Sequence, residues 1–128
     1  MLLSPGQAGD NPYLVPLLDA LGQAGYRPGH VLADKGYSHP STRCELRRRR
    51  IGHTIPERSD QVRRRKAKGR AGGRPPKFDP ALYAQRNAVE RGFGRFKQWR
   101  GIATRYDKYA RTYHGGVLLA ATLMLGRP

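Results

Sequence analysis

The sequence is short of acid: nine Asp and Glu stand against 25 Lys and Arg, a formal charge of +16 at neutral pH. That excess opposes compaction by self-repulsion and calls for a polyanionic partner, nucleic acid first and an anionic membrane surface second. Long apolar runs are lacking too. The longest, residues 117–125 with Thr122 inside it, is too short to cross a bilayer. Met1-Leu2-Leu3-Ser4-Pro5 lacks the charged and apolar regions of a signal peptide, so an intracellular, cytoplasmic protein with no membrane partner is expected. Cysteine is nearly missing. A single Cys44 cannot close an internal disulfide, which agrees with a reducing compartment, and it reads as a small, half-buried helix residue. His30, His39, His53 and His114 are scattered without a second Cys, so a structural zinc site has no ligand set. Internal repeats are absent, and the length fits one domain at most, with a modest core.

What is present alternates. Asp10-Asn11-Pro12 is a helix start, a capping residue followed by Pro where its missing N–H costs nothing. Tyr13, Leu14, Leu17, Leu18 and Leu21 then recur at helical spacing until Gly22 and Gly25 end the run. His30-Val31-Leu32-Ala33 reads as a buried strand with a turn at Lys35-Gly36, residues 38–50 as a second helix, and residues 52–56 as a second short strand. Helix–strand–helix–strand order implies an α/β sheet. Residues 57–80 set Arg63, Arg64, Arg65, Lys66, Lys68, Arg70, Arg74 and Lys77 among glycines and prolines, with almost nothing apolar to bury, which predicts an exposed, flexible basic loop. Asp79-Pro80 then opens a long helix over residues 81–100, which Gly101 breaks. A last helix is expected over residues 109–125, interrupted or bent near Gly115-Gly116.

Placed on a wheel at roughly 100° per residue, the helix over residues 81–100 separates two stripes. With Tyr83 at zero, Phe96, Val89, Leu82 and Phe93 fall between about 220° and 280°, an apolar face that must pack on the sheet. Arg86, Lys97, Glu90 and Tyr83 fall beside it, between about 300° and 360°. A lone Glu on a helix is ordinarily a solvated charge, and Glu90 with Arg86 an ordinary surface pair. Against that stands a row of phenol, guanidinium, carboxylate and ammonium at the border of a core. A carboxylate there can hold a divalent cation, with neighbouring cations on phosphates.

The spacing Tyr83-x2-Arg86-x3-Glu90-x6-Lys97 resembles the signature around the last acidic residue of bacterial insertion-sequence DDE transposases. Gly73-Arg74-Pro75-Pro76, Arg86-Asn87-Ala88-Val89-Glu90-Arg91 and Ile102-Ala103-Thr104-Arg105-Tyr106-Asp107-Lys108 are similar to that family as well. Leu32-Ala33-Asp34-Lys35-Gly36-Tyr37 looks like its segment for the second catalytic Asp, and Pro5-Gly6-Gln7-Ala8-Gly9-Asp10-Asn11 like the stretch after its third strand. The resemblance covers nearly all 128 residues. It implies a partial ribonuclease-H-like α/β fold, a short sheet flanked by helices and truncated at the N-terminus. It also implies cleavage and strand transfer of transposon-end DNA with two divalent metal ions, usually magnesium. Asp34 and Glu90 would be catalytic and metal-binding, and Tyr83, Arg86 and Lys97 would bind DNA with the basic run from Arg63 to Lys66. Taken alone, Asp34 before Lys35-Gly36 reads as a turn-forming Asp; the pairing with Glu90 rests on the resemblance.

The triad departs from the family. Its first Asp lies on a strand several tens of residues before the position of Met1. Ahead of Asp34 stand only Asp10 and Asp19, better explained as a helix cap and a helix surface charge. The chain is therefore expected to be the C-terminal portion of a catalytic domain: a truncated copy, a mis-started gene, or the second half of a transposase encoded in two reading frames. Expected partners are transposon-end and target DNA, an upstream-frame polypeptide carrying the first Asp, and further copies in a homo-oligomer at the bacterial nucleoid. Two readings compete with the enzyme: a non-catalytic basic DNA-binding remnant, and a small basic RNA-binding protein of the ribosomal kind. RNA coating needs no Tyr-Arg-Glu-Lys row beside a core.

Overall fold

The structure, a computed structural model, describes residues 8–104 and 107–126. Pro5, Gly6 and Gln7 of the first family-like stretch, and Arg105 and Tyr106 of the last, lie outside the described residues. The chain divides into two compact units between Gln85 and Arg86.

The first unit is built on a strand–helix–strand motif. Its chain enters through a single 3-10 turn, Asn11–Tyr13, and continues as α1, Leu14–Gln23. Asp10 makes no side-chain cap, contrary to expectation. The neighbouring Asn11 instead accepts a hydrogen bond at Oδ1 from Thr42 Oγ1 at 2.8 Å. Of the leucines at helical spacing, Leu14 and Leu18 are buried and Leu17 is exposed, as an i, i+4 stripe requires. Gly25 takes a positive φ of 81° just past the helix, a conformation glycine adopts without steric cost. Strand β1, His30–Leu32, pairs in parallel with β2, Gly52–Thr54, in the register His30↔Gly52, Val31↔His53, Leu32↔Thr54. Parallel neighbours need a crossover, and α2, Pro40–Arg48, lies on it. Leu14, Leu18, Ala33, Leu46 and Ile55 form the core, with Val31, Tyr37 and Ile51 packed against it.

The crossover ends on Arg50, whose φ of 58° is left-handed. The N–H of Arg50 donates to the Arg47 carbonyl and that of Ile51 to the Leu46 carbonyl, both at 2.9 Å. This is the paired closure that caps helices with glycine at the left-handed position. Arginine holds it here because Leu46 and Ile51 bring the two ends together in the core.

Five further expectations are corrected. Residues 57–80 are not a loop throughout, since Ser59–Ala67 forms a helix, α3, followed by a 3-10 turn at Gly69–Gly72. The glycines and prolines that suggested a loop all lie in the second half of the segment. In the first half Asp60 sits in the first turn and Arg64, Arg65 and Lys66 in the last, the order the helix dipole favours. Arg65 bonds Glu57 at 2.9 Å and Gln61 Nε2 donates to the Ser38 carbonyl at 3.2 Å. Second, residues 81–100 are not one helix: α4 is Pro80–Ala84 and α5 is Asn87–Gln98. Gln85 and Arg86 keep right-handed dihedrals, with ψ of −21° and −22°. The Gln85 N–H bonds three residues back to Leu82. The turn tightens toward 3-10 geometry, without a Gly or Pro to announce it. Third, the chain leaves α5 at Trp99, in extended conformation. Gly101 falls inside the next short helix, α6, Arg100–Thr104. Fourth, Gly115 and Gly116 lie within an unbroken α7, Ala110–Leu125. Cys44 is exposed rather than half-buried.

The second unit is helical and thinly packed. Among its described residues Ala120 is buried, while Val89, Phe93, Leu118, Leu119 and Leu123 are exposed. The apolar stripe on α5 is therefore real as a pattern, but Val89 and Phe93 are not covered. Tyr113 donates its hydroxyl to the Ile102 carbonyl at 3.2 Å and ties α7 to α6. Among the described residues no helix is long and apolar enough to cross a membrane.

Candidate functional site

Asp34 stands just past the C-terminal end of β1 and is exposed. Its Oδ1 accepts the Gly36 N–H at 2.8 Å and so caps the 3-10 turn Lys35–Tyr37. Asp34 therefore does form the turn that Asp-x-Gly suggests. A carboxylate has two oxygens and several lone pairs, so capping leaves it capacity for a ligand. Tyr37 lies behind it. Burial raises the phenol's pKa, and the negative charges of Asp10 and Asp34 add to the rise.

Tyr83 is on α4, half-buried, its ring 5.2 Å from that of Phe78 and tilted by 53°. Arg86, at the start of α5, bonds Glu90 one turn on. Glu90 is exposed in the first turn and Lys97 is exposed in the last. The ends suit the dipole, acid at the N-terminus and base at the C-terminus. The structure thus brings Arg86 and Glu90 together. Tyr83 lies on α4, whereas Arg86, Glu90 and Lys97 go with α5, so the four do not share one continuous helix. Asp34 and Tyr83 belong to the first unit; Arg86, Glu90 and Lys97 belong to the second.

Arg63, Arg64 and Lys66 are exposed on α3, free to meet a polyanion, while Arg65 is half-buried against Glu57. Sequence reasoning missed other cations. Arg43 is buried, with Nη2 on the Ile55 carbonyl at 2.8 Å. Burial lowers its pKa, and the charge of Glu57 opposes that shift. Glu45 binds Arg48 at 2.7 Å and Arg49 at 2.6 Å, a pattern visible as Glu with Arg three and four residues on. Asp19 pairs with Arg49 at 2.7 Å.

A family model for the transposase DDE domain matches residues 1–125. The chain belongs to that family. No curated protein and no solved structure matches it. Carboxylate oxygens suit the hard divalent cations on which DDE chemistry relies, so Asp34 and Glu90 fit such an ion in kind. They do not fit in number. Among the described residues no group of three or more His, Cys, Asp or Glu side chains is placed to hold a metal ion. By themselves the described residues of this DDE domain do not make a two-ion centre.

Proposed function

We propose that this DDE domain is the C-terminal part of a transposase catalytic domain with a partial ribonuclease-H-like fold. In the complete enzyme it serves metal-dependent cleavage and strand transfer of transposon-end DNA, in the cytoplasm at the nucleoid. Asp34 and Glu90 are the second and last acidic residues of the triad, and magnesium is the ion their oxygens favour. Arg86 and Lys97 contact DNA phosphates, Tyr83 orients the site, and the exposed cations of α3 extend the contact. The observation that carries this reading is the position of Asp34, exposed beyond the carboxyl end of a parallel strand, where open α/β sheets place their ligand crevice. The first Asp comes from a preceding segment or polypeptide, and the complete enzyme works as a homo-oligomer.

A second reading has one observation in its favour, the lack of any cluster of three or more metal-ligating side chains among the described residues. On it the chain is a basic remnant that coats DNA without cutting it. Incubating the chain with duplex transposon ends and magnesium, with and without a segment that carries an Asp-ended strand, separates the two. Cutting that needs the added segment and is lost in Asp34→Asn supports the enzyme part. Binding without cutting in either mixture supports the remnant.

A further inference from the structure

The first unit also holds a cleft lined by the strand residues His30, Gly52, His53 and Thr54 and by the segment from Arg74 to Lys77 with Asp79 and Leu82. We infer that this cleft is a phosphate-binding site, and that it takes a backbone phosphate of nucleic acid between Arg47, Arg74 and Lys77. The inference rests on the DNA-binding part of the function proposed above.

Charge is the first support. Arg43, Arg47, Arg74 and Lys77 line the cleft, against one carboxylate, Asp79. Asp79 is partly committed, since its Oδ1 accepts the Leu82 N–H at 3.0 Å and caps α4. The acids that could neutralise the rest are engaged elsewhere: Asp19 with Arg49, Glu45 with Arg48 and Arg49, Glu57 with Arg65, and Asp60 with Arg58. Among the described residues Arg47, Arg74 and Lys77 enter no ion pair. Guanidinium and ammonium groups that outnumber the acid beside them are the groups that bind phosphate.

Construction is the second support. Arg43 lines the cleft with Nη2 on the Ile55 carbonyl, while its buried Nη1 has no partner among the described residues. A positive charge is thus fixed in the lining. The opening itself depends on Gly52, where a Cβ would come within 2.5 Å of His30 Nδ1. His30 is held across the strands by a 3.1 Å bond between Nε2 and Thr54 Oγ1. Pro75 and Pro76 stiffen the wall that carries Arg74 and Lys77. Burial depresses the pKa of His53; a weak bond to the Ile51 carbonyl opposes this, and the charges of Arg43, Arg47 and His30 add to it. Positive charge therefore outweighs the single carboxylate of Asp79 here.

The test compares Arg74→Gln/Lys77→Gln with Arg63→Gln/Arg64→Gln, which removes equal charge from α3. All four positions are exposed, and thermal melting confirms that each variant folds. Inorganic phosphate should shift the imidazole NMR signals of His30 and His53 in the unmodified chain and in the α3 variant, and leave them unmoved in the cleft variant. On duplex DNA the cleft variant should lose about two from the magnitude of the salt slope. Histidine signals that ignore phosphate, or that respond equally in the cleft variant, overturn the site. If duplex binding persists while the site fails, the DNA-binding reading stands without it. If phosphate binds but the duplex does not, both the nucleic-acid source and the reading beneath it are overturned.

Discussion

Arg43 Nη2 donates to the carbonyl oxygen of Ile55 at 2.8 Å across a buried contact, joining α2 to the residue that follows β2. Both residues are nearly inaccessible, at 6% and 1% of their surface. Ile55 lies past the last residue of β2, so a side chain satisfies its carbonyl where the ladder has ended. Arg43→Met fills the volume and leaves that carbonyl unsatisfied. Such a loss costs about 1–3 kcal/mol, and urea unfolding should show a destabilisation in that range. An unchanged midpoint would mean that water or a neighbour takes over the bond.

Arg50 is the converse case, a residue that costs stability where it stands. Left-handed backbone costs a residue with a Cβ roughly 1–2 kcal/mol, and the helix closure at this position is one that glycine makes readily. Arg50→Gly should raise the thermal midpoint, by an amount equivalent to about 0.5–1 kcal/mol once the greater unfolded-state freedom of glycine is subtracted. A lower midpoint would show that the Arg50 side chain contributes more than its backbone costs.

These two residues mark the limits of what was legible in the sequence. Strands β1 and β2 and helices α1 and α2 were readable because apolar runs and helical spacing announce them, and because Pro40 opens α2. Helix α3 was hidden by averaging: glycines and prolines near residues 69–76 coloured a whole segment whose first half holds none. The turn at Gln85 and Arg86 carries no Gly or Pro, so nothing local signals the change to 3-10 geometry. Arg43 was passed over because charged residues are read as solvated, and only the fold reveals that the Ile55 carbonyl needs its guanidinium. In the candidate site the Arg86–Glu90 pair was legible from i, i+4 spacing, and so was the turn formed by Asp34 ahead of Gly36. The row back to Tyr83 is divided between α4 and α5.

The charge cluster on α2 makes stability depend on acid. Hydrogen bonds from Arg48 and Arg49 hold the Glu45 carboxyl at about 2, well below its ordinary 4.5. A carboxylate with a depressed folded-state pKa contributes stability that is fully present above its unfolded value and is lost as pH falls through the folded one. The loss attributable to Glu45 should therefore fall between pH 4.5 and about 2. Urea midpoints of Glu45→Gln should lie below those of the unmodified chain near neutrality and converge with them at the acid end. Parallel curves across that window would remove Glu45 from the account. Arg48 is exposed to solvent and Glu45 and Arg49 are half-buried, so added salt should shrink the difference.

DNA binding should be strong in low salt and nearly indifferent to sequence. Arg47, Arg63, Arg64, Lys66, Arg74 and Lys77 are exposed and can follow a phosphate backbone, which positions a protein without reading bases. If the chain neutralises about five phosphates, log affinity should fall with log salt at a slope of roughly −4 to −5. Titrating labelled duplexes of unrelated sequence at several salt concentrations checks both statements. A flat salt response, or a preference for one sequence by orders of magnitude, would contradict them.

Catalysis turns on the count of acids. A pair of divalent ions needs several carboxylate oxygens close together, and magnesium keeps its waters unless the geometry around it is nearly ideal. The proposed ligands here are Asp34, one of whose oxygens caps a turn, and Glu90, which is bonded to Arg86. Two carboxylates among so many cations should hold magnesium weakly, so the isolated chain should neither nick nor join transposon-end DNA. Supplying a segment with the first Asp should bring metal-dependent nicking. Glu90→Gln should then abolish it, because an amide cannot provide the charge, while leaving DNA binding nearly intact, because a carboxylate is not a group that holds phosphate. Arg86→Gln should act differently, weakening DNA binding and releasing Glu90 together. Magnesium-dependent cleavage by the isolated chain that survives both Asp34→Asn and Glu90→Gln would place the chemistry on other residues.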